Sequence, residues 1–334
     1  MFGEIILPIL LFIVGLVALI KGGDWFVDGA TGIAHRFHIP ELLIGATVVS
    51  IGTTLPEVMV SATSAFTGHG EIAYGNAIGS IICNTSLIAA LTVAIRPAKV
   101  EKKSLVIPVI FFFSSAIGYS AVAYFFGEFS RVVGICLLAV FVVYMATLVL
   151  QAKKEMTLAA DGEAEKKDEV EALEDKPAPM WKNILFLVVG AALIAIGADL
   201  LVDNGTIIAK FLGVPESVIA LTFVALGTSL PELVTAITSL VKGHGALSLG
   251  NIIGANIFNL VLVSGVSIAI SPFALPSGSE IMGRNASLVM DIPIMLGVMM
   301  LLTLPALFKG KLYRWQGILL LGIYVAFCAV QFSL

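Results

Sequence analysis

Long apolar runs separated by short polar segments dominate the pattern of this chain. Five stretches carry no charged residue, and each is close to the roughly 20 residues that a helix needs to cross a bilayer: 72–95, 104–127, 132–152, 292–308 and 315–334. Five more apolar runs with sparse polar residues predict helices over about 4–22, 40–66, 183–205, 215–241 and 246–270. The pattern predicts an all-α membrane protein with ten transmembrane helices.

One polar segment interrupts this pattern. Between Gln151 and Lys182 the chain carries six lysines and nine acidic residues. Such a stretch cannot bury enough apolar area to fold alone. We therefore interpret 151–182 as a charged linker between two five-helix halves, 1–150 and 183–334.

The composition supports a membrane protein and excludes other classes. The 334 residues are 58% apolar and 13% charged, whereas soluble domains carry about 25% charged residues. The net charge is −4, and no basic domain stands apart to bind nucleic acid. Cys83, Cys136 and Cys328 lie in apolar runs without metal-ligand spacing, so no zinc site is expected.

Lysine and arginine positions predict the orientation in the membrane. If both termini are outside, the inward loops hold most of the basic residues, including the linker lysines. The outward loops then keep only Arg131, Lys210 and Arg284. The positive-inside rule thus places both termini outside and the linker in the cytoplasm.

The two halves share an internal repeat. A shift of 175 residues aligns 40–87 with 215–262 without a gap, and 22 of the 48 positions are identical. Each half has an odd number of predicted helices, so the second copy enters the membrane in the opposite sense. Inverted repeats of this kind are typical of secondary transporters, whose substrate site lies near the bilayer midplane between the copies.

Each copy contains a hydroxyl-rich segment that ends in a glutamate. Four positions with i, i+3, i+4 and i+7 spacing share one helix face: Ser50, Thr53, Thr54 and Glu57 in the first copy, and Ala225, Thr228, Ser229 and Glu232 in the second. Pro56 and Pro231 lie in the same segments, where each removes an amide donor and frees a backbone carbonyl. The segments predict broken helices lined with oxygen atoms.

The paired glutamates point to a bound cation. An acidic residue at the bilayer centre costs about 2.5–3.5 kcal/mol on insertion scales, and no intramembrane lysine or arginine is near Glu57 or Glu232 in sequence. Two carboxylates suit one Ca²⁺ or more than one Na⁺. The alternative, two protonated glutamates that bond neighbouring helices, explains neither the hydroxyl face nor the duplication.

A second pair of segments carries asparagines at one-turn spacing. Each copy places three such positions on one helix face: Asn76, Ser80 and Asn84 in the first, and Asn251, Ala255 and Asn259 in the second. Cation ligation and interhelical hydrogen bonding both remain open for the asparagines. GxxxG pairs in the same segments indicate close helix packing.

The motif pairs GTTLPE with GTSLPE and GNAIGSIICN with GNIIGANIFN resemble the two alpha repeats of the calcium/cation antiporter superfamily, closest to its prokaryotic sodium/calcium exchanger branch. The resemblance covers both repeats and all ten spans. It implies a central site lined by the second, third, seventh and eighth helices, and Na⁺-driven Ca²⁺ transport by alternating access. It further implies a transporter of the prokaryotic inner membrane, not an enzyme.

The resemblance also implies a role for each site residue. The calcium ligands would be the carboxylates of Glu57 and Glu232 with the hydroxyls of Thr53 and Thr228. The sodium ligands would be Thr54, Ser229, Ser80 and the carbonyls of Ser50 and Ala225, while Asn84 and Asn259 would close the centre. We expect Ca²⁺ and Na⁺ as transported ions, no resident cofactor, inorganic cations and the lipid bilayer as partners, and a monomeric protein.

Three positions depart from the family pattern. Ala255 lacks the hydroxyl of its mate Ser80, Ile81 lacks the amide of Asn256, and Asn259 stands where some relatives have aspartate. Because one ligand and one charge are missing, the sequence does not decide whether Na⁺ or H⁺ is the coupling ion. An H⁺/Ca²⁺ antiporter with a protonatable site glutamate and a passive cation channel are the alternatives; the repeat favours a carrier, and the hydroxyls favour Na⁺.

Overall fold

The structure, a computed structural model, describes residues 2–97, 99–166, 179–213, 227–278 and 280–331. Helices account for most of these residues; in chain order they are α1 (Phe2–Arg36), α2 (Glu41–Phe66), α3 (Gly70–Ile95), α4 (Lys102–Phe126), α5 (Arg131–Lys166), α6 (Met180–Phe211), α7 (Leu230–Val241), α8 (Gly245–Ile270), α9 (Ser287–Lys309) and α10 (Arg314–Gln331). Within the described ranges, nine are long and apolar enough to cross a membrane. The predicted all-α membrane protein is confirmed.

Several helices are longer than their apolar runs. The first prediction ended at residue 22, yet α1 continues to Arg36 because Phe26, Val27 and Ala30 are buried beyond the polar Gly-Gly-Asp sequence. Helix α5 extends past residue 152 into the segment interpreted as linker and ends at Lys166. The predicted helix 215–241 is described only over Leu230–Val241, since residues 214–226 lie outside the described ranges.

Short β pairings join loops at the two ends of the bundle. Strand β1 (Glu128–Phe129), between α4 and α5, pairs antiparallel with β2 (Phe273–Ala274), between α8 and α9. A single bridge joins Lys99, between α3 and α4, to Lys311, between α9 and α10. A hairpin of β3 (Glu280–Ile281) and β4 (Arg284–Asn285) completes the α8–α9 connection.

The buried apolar residues form two cores. The larger one joins α2, α3, α4, α5, α7, α8, α9 and α10. The smaller one joins α1 and α6 to the start of α2 and to Leu247 of α8. Helices α1 and α6 therefore pack chiefly on each other, at the side of a bundle that the other helices build.

Glycines allow α1 and α6 to pack with their backbones in contact. A Cβ placed on Gly15 would lie 2.9 Å from the carbonyl oxygen of Gly197, and one on Gly22 would lie 2.9 Å from that of Gly190. Both distances are too short for a real side chain. Because the residue number rises along α1 while it falls along α6, the two helices are antiparallel.

Candidate functional site

The repeat motifs meet in the middle of the bundle on α2, α3, α7 and α8, which pack against one another. The hydroxyl-rich face of α2 is buried along its whole length, as its spacing predicts: Ser50, Thr53, Thr54 and Glu57. On the second copy, Ser229 and Glu232 are buried, and Thr228 is half-buried just before α7 begins. Ala225 lies outside the described residues.

The helix break that was predicted at the proline of each copy is absent from the first copy. Helix α2 continues through Pro56, so the predicted break at this position is wrong. One proline removes a single hydrogen bond, and neighbouring helices on both sides keep the α2 path intact. In the second copy, Pro231 lies in the first turn of α7, where a missing amide donor costs nothing.

The carboxylates of Glu57 and Glu232 are the least compensated groups of the site. Both side chains are 0% exposed. None of their four oxygens has a hydrogen-bond partner of normal geometry among the described residues, although the hydroxyls of Thr53 and Thr54 lie near the Glu232 carboxylate. The Glu232 carboxylate lies close enough for its charge to act on Glu57. Since no lysine or arginine is buried in the described ranges, two adjacent carboxylates are left without a protein cation, which is costly in a low-dielectric interior.

Asn251 of α8 ties the two copies together beside the glutamates. Its side-chain oxygen accepts hydrogen bonds from Thr53 Oγ1 at 3.2 Å and from Ser50 Oγ at 3.4 Å. Ser50 has a single hydroxyl hydrogen to share, since its Oγ also lies 3.0 Å from the backbone oxygen of Asn251 and 2.8 Å from that of Gly45. A hydroxyl that donates its hydrogen keeps its lone pairs, so Thr53 can still act as a ligand while Asn251 fixes its orientation.

Asn84 and Asn259 occupy equivalent places in the two copies. Both side chains are buried, and their amide atoms have no hydrogen-bond partner among the described residues. Each residue also begins a π-helical turn, which spans Asn84–Ala89 in the first copy and Asn259–Val263 in the second. Such turns occur often at functional sites because they change the backbone hydrogen bonding. Ser80 lies buried one turn before Asn84, whereas its counterpart Ala255 offers no oxygen.

Two other asparagines have a structural role. Asn76 donates to the backbone oxygen of Glu57 at 3.2 Å and to Ser61 Oγ at 2.8 Å. Asn256 donates to Thr85 Oγ1 at 2.7 Å, across the two copies. Interhelical hydrogen bonding, one of the two alternatives from the sequence, is therefore the observed role of Asn76.

Three buried hydroxyls near the site were missed by the sequence reasoning. Thr235 and Ser239 of α7 and Ser248 of α8 are nearly inaccessible, and their hydroxyls have no partner in the described part of the chain. The positions of Thr235 and Ser239, three and seven residues after Glu232, could have revealed them, because this spacing keeps a residue on the glutamate face.

The donor set of the site consists of oxygen atoms. Two carboxylates are surrounded by hydroxyls and amide oxygens, and the described residues contain no cluster of three or more His, Cys, Asp or Glu side chains. Zn²⁺ prefers nitrogen and sulfur ligands, whereas Ca²⁺ takes six to eight oxygens from carboxylates, carbonyls and amides. The site thus matches a hard cation such as Ca²⁺ or Na⁺.

Comparisons with known proteins show similar sequences over almost the whole chain. A family model described as "Sodium/calcium exchanger protein" matches residues 7–150 and 182–333. The sodium/calcium exchanger MaX1 of Methanosarcina acetivorans is 31% identical over 97% of this chain and 98% of its own length. An uncharacterized membrane protein of Methanocaldococcus jannaschii, MJ0091, is 35% identical over 96% of this chain and 97% of its own.

A solved structure is also similar over almost the whole chain. The sodium-calcium exchanger NCX_Mj, in crystals soaked with 2.5 mM Na⁺ and 10 mM Sr²⁺, superposes with a TM-score of 0.78. Its sequence is 31% identical, and the match covers 97% of this chain and 99% of that one. The similarity therefore extends over both halves rather than one motif.

Proposed function

Because this chain belongs to the sodium/calcium exchanger protein family, we propose that it exchanges Ca²⁺ for Na⁺ across the inner membrane of a prokaryotic cell. It is a secondary transporter rather than an enzyme. The observation that carries the proposal is the buried pair Glu57 and Glu232, whose charges lack a compensating cation in the described protein. A transported cation supplies the missing positive charge.

The ligands follow from the residues that surround this pair. Ca²⁺ binds between the carboxylates of Glu57 and Glu232, with hydroxyl oxygens from Thr53 and Thr228. Na⁺ binds beside it, and its ligands are Thr54, Ser229, Ser80 and the backbone carbonyls of Ser50 and Ala225. Asn84 and Asn259 close the centre from α3 and α8, where their unpartnered amide oxygens are available.

The chain crosses the membrane ten times as two inverted repeats. The glycine contacts between α1 and α6 support this arrangement, because the shift of 175 residues converts Gly15 into Gly190 and Gly22 into Gly197. Gly15 contacts Gly197, and Gly22 contacts Gly190. Each of these two contacts is therefore the repeat-related copy of the other. Such a relation between antiparallel helices is what a two-fold axis in the membrane plane produces.

Loop contacts support the same topology. The α3–α4 loop contacts the α9–α10 loop through Lys99 and Lys311, and the α4–α5 loop contacts the α8–α9 loop through β1 and β2. These two loop pairs belong to opposite ends of a bundle in which each helix crosses once. Both termini lie outside and the linker lies in the cytoplasm, as the distribution of lysine and arginine favours.

Alternating access is the transport mode that best fits a sealed site. Glu57 and Glu232 are both 0% exposed, so the protein has a conformation in which neither side of the membrane reaches them. A passive channel needs a continuous path that an ion can enter and leave. A carrier instead opens the site to one side at a time, around a fixed site between the repeats.

The test of this proposal is Ca²⁺ uptake into proteoliposomes that contain the purified protein. An outward Na⁺ gradient should drive uptake, and a pH gradient without Na⁺ should drive none, because the hydroxyls beside each glutamate provide sodium ligands. Empty liposomes under the same gradient are the control. Uptake that follows the pH gradient and ignores Na⁺ would replace this function by H⁺/Ca²⁺ antiport.

A further inference from the structure

A row of buried hydroxyls leads from the central glutamates toward one end of the bundle. Thr235 and Ser239 follow Glu232 at three and seven residues, so they lie on the same face of α7. Their exposed fractions are 0%, and their hydroxyls have no hydrogen-bond partner among the described residues. A hydroxyl buried without a partner costs roughly 1–3 kcal/mol, so packing alone gives no reason to keep it.

Helix α8 continues this row from the other side. Ser248 lies three residues before Asn251, on the same face, and it is 2% exposed with an unpartnered hydroxyl. Helices α7 and α8 pack against each other and are joined by the short turn at 242–244. The two polar faces therefore run from the site to the end of the bundle where this turn lies.

A cavity opens at this end. It has a volume of about 290 Å³ and is lined by polar and small residues that include Glu41, Arg96 and Gly245. A narrower void, lined by Thr92, Ser248 and again Arg96, lies next to it. The two spaces adjoin each other, because they share lining residues, and Ser248 of the hydroxyl row lines the narrower one.

Arg96 stands where the two spaces meet. Its guanidinium donates a hydrogen bond to the backbone oxygen of Leu240, at the end of α7, at 3.4 Å. This contact joins the end of α3 to α7 across the mouth. The acidic groups near Arg96 already have other partners. Asp28 accepts a hydrogen bond from Lys242 at 2.7 Å, and Glu41 Oε1 lies 2.7 Å from His244 Nδ1.

The first copy of the repeat lacks this row. The counterparts of Thr235 and Ser248 are Val60 and Ala73, which carry no hydroxyl. The counterpart of Ser239 is Ser64, whose hydroxyl donates to the backbone oxygen of Val60 at 2.8 Å. The same helix pair is thus built without the row in the other copy, so the unpartnered hydroxyls serve a purpose other than packing.

We propose that Thr235, Ser239 and Ser248 line the route by which cations pass between the central site and the end of the bundle at the α7–α8 turn, and that Arg96 closes its mouth. This inference rests on the proposed exchange function and adds its pathway on one side. Hydroxyl oxygens replace the water that a cation sheds along the route. The positive Arg96 opposes cation entry until the contact with Leu240 breaks.

Thiol labelling tests the route directly. The background carries Cys83→Ala, Cys136→Ala and Cys328→Ala, and Ser239→Cys and Ser248→Cys are each introduced into it in sealed vesicles. A positively charged, membrane-impermeant thiol reagent should label both from the side of the α7–α8 turn only, and labelling should slow Ca²⁺ flux at least tenfold. Ser64→Cys, the counterpart of Ser239, is the matched control and should be labelled only from the opposite side.

Labelling is read by mass spectrometry, so it reports on the route whether Na⁺ or H⁺ drives transport. A route failure and a failure of sodium coupling are therefore distinguishable. The inference would be overturned if neither new cysteine is labelled from the turn side. It would also be overturned if both are labelled and Ca²⁺ flux does not fall. In the natural cysteine background, Thr235→Val should also slow flux at least tenfold at saturating Ca²⁺, and unchanged flux in this variant would likewise count against it.

Discussion

Replacing either central carboxylate by an amide, Glu57→Gln or Glu232→Gln, is expected to abolish Ca²⁺ exchange while the protein still folds. Each variant leaves one negative charge to face a divalent cation in a site that contains no other buried carboxylate among the described residues. Removing one partner of a buried charge interaction costs about 2–5 kcal/mol. A loss of about 3 kcal/mol corresponds to roughly a 100-fold weaker affinity.

Flux into proteoliposomes and a size-exclusion profile of the purified protein measure these two properties. Glu71→Gln provides the matched control, because Glu71 lies on α3 and is exposed. This variant should transport like the unmodified protein. Near-normal Ca²⁺ flux in Glu57→Gln or Glu232→Gln would remove that residue from the site.

The second large effect is expected at the contact between α2 and α8. A Cβ on Gly250 would overlap the backbone carbonyl of Leu42, and one on Gly254 would lie 2.7 Å from the Cα of Ala46. Backbone atoms cannot move aside as a flexible side chain can. Gly250→Val should therefore destabilise the protein by about 3 kcal/mol, at the upper end of overpacking effects, and lower its melting temperature in detergent.

A glycine on the outer surface of the bundle provides the control. Its replacement by valine changes the helix propensity in the same way but creates no overlap with a neighbouring helix. Gly118 of α4 has no described atom within 4 Å of an added Cβ. Gly118→Val should melt close to the unmodified protein. Equal melting temperatures for Gly250→Val and Gly118→Val would show that α2 and α8 do not approach as closely as described.

The helical architecture and the polar faces could be predicted from the sequence because both depend on local periodicity. Apolar runs of sufficient length predicted the nine long apolar helices of the described residues. The i, i+3, i+4, i+7 spacing placed Thr53, Thr54 and Glu57 on one buried face. The duplication linked each of these residues to a counterpart 175 positions later. The comparisons confirm the family to which these motifs pointed.

Features that depend on tertiary packing could not be predicted in this way. The predicted end of α1 was wrong because Phe26 and Val27 are buried by other helices. A hydropathy window does not register contacts of this kind. The break at Pro56 was wrong because packing holds α2 together across it. The π-helical turns at Asn84 and Asn259 have no composition signal of their own, since they use the same apolar residues as ordinary helix.

Polar contacts between the copies were also beyond the sequence. Asn251 joins Ser50 and Thr53 across about 200 positions of the chain, a pairing that no local pattern contains. The same applies to Asn256 and Thr85. By contrast, the spacing of Thr235 and Ser239 was visible beside Glu232, but a hydroxyl on a helix face gains meaning only when its burial and lack of a partner are known.

Anomalous diffraction from crystals soaked with Sr²⁺, a divalent substitute for Ca²⁺, tests the central claim most directly. The strongest peak should lie between the carboxylates of Glu57 and Glu232, about 2.5 Å from their oxygens, as expected for a Ca²⁺-like ion, with Thr53 as a neighbour. The peak should disappear from crystals of Glu57→Gln. A strongest peak elsewhere, or one that persists unchanged in this variant, would contradict the claim that the two glutamates bind the transported cation.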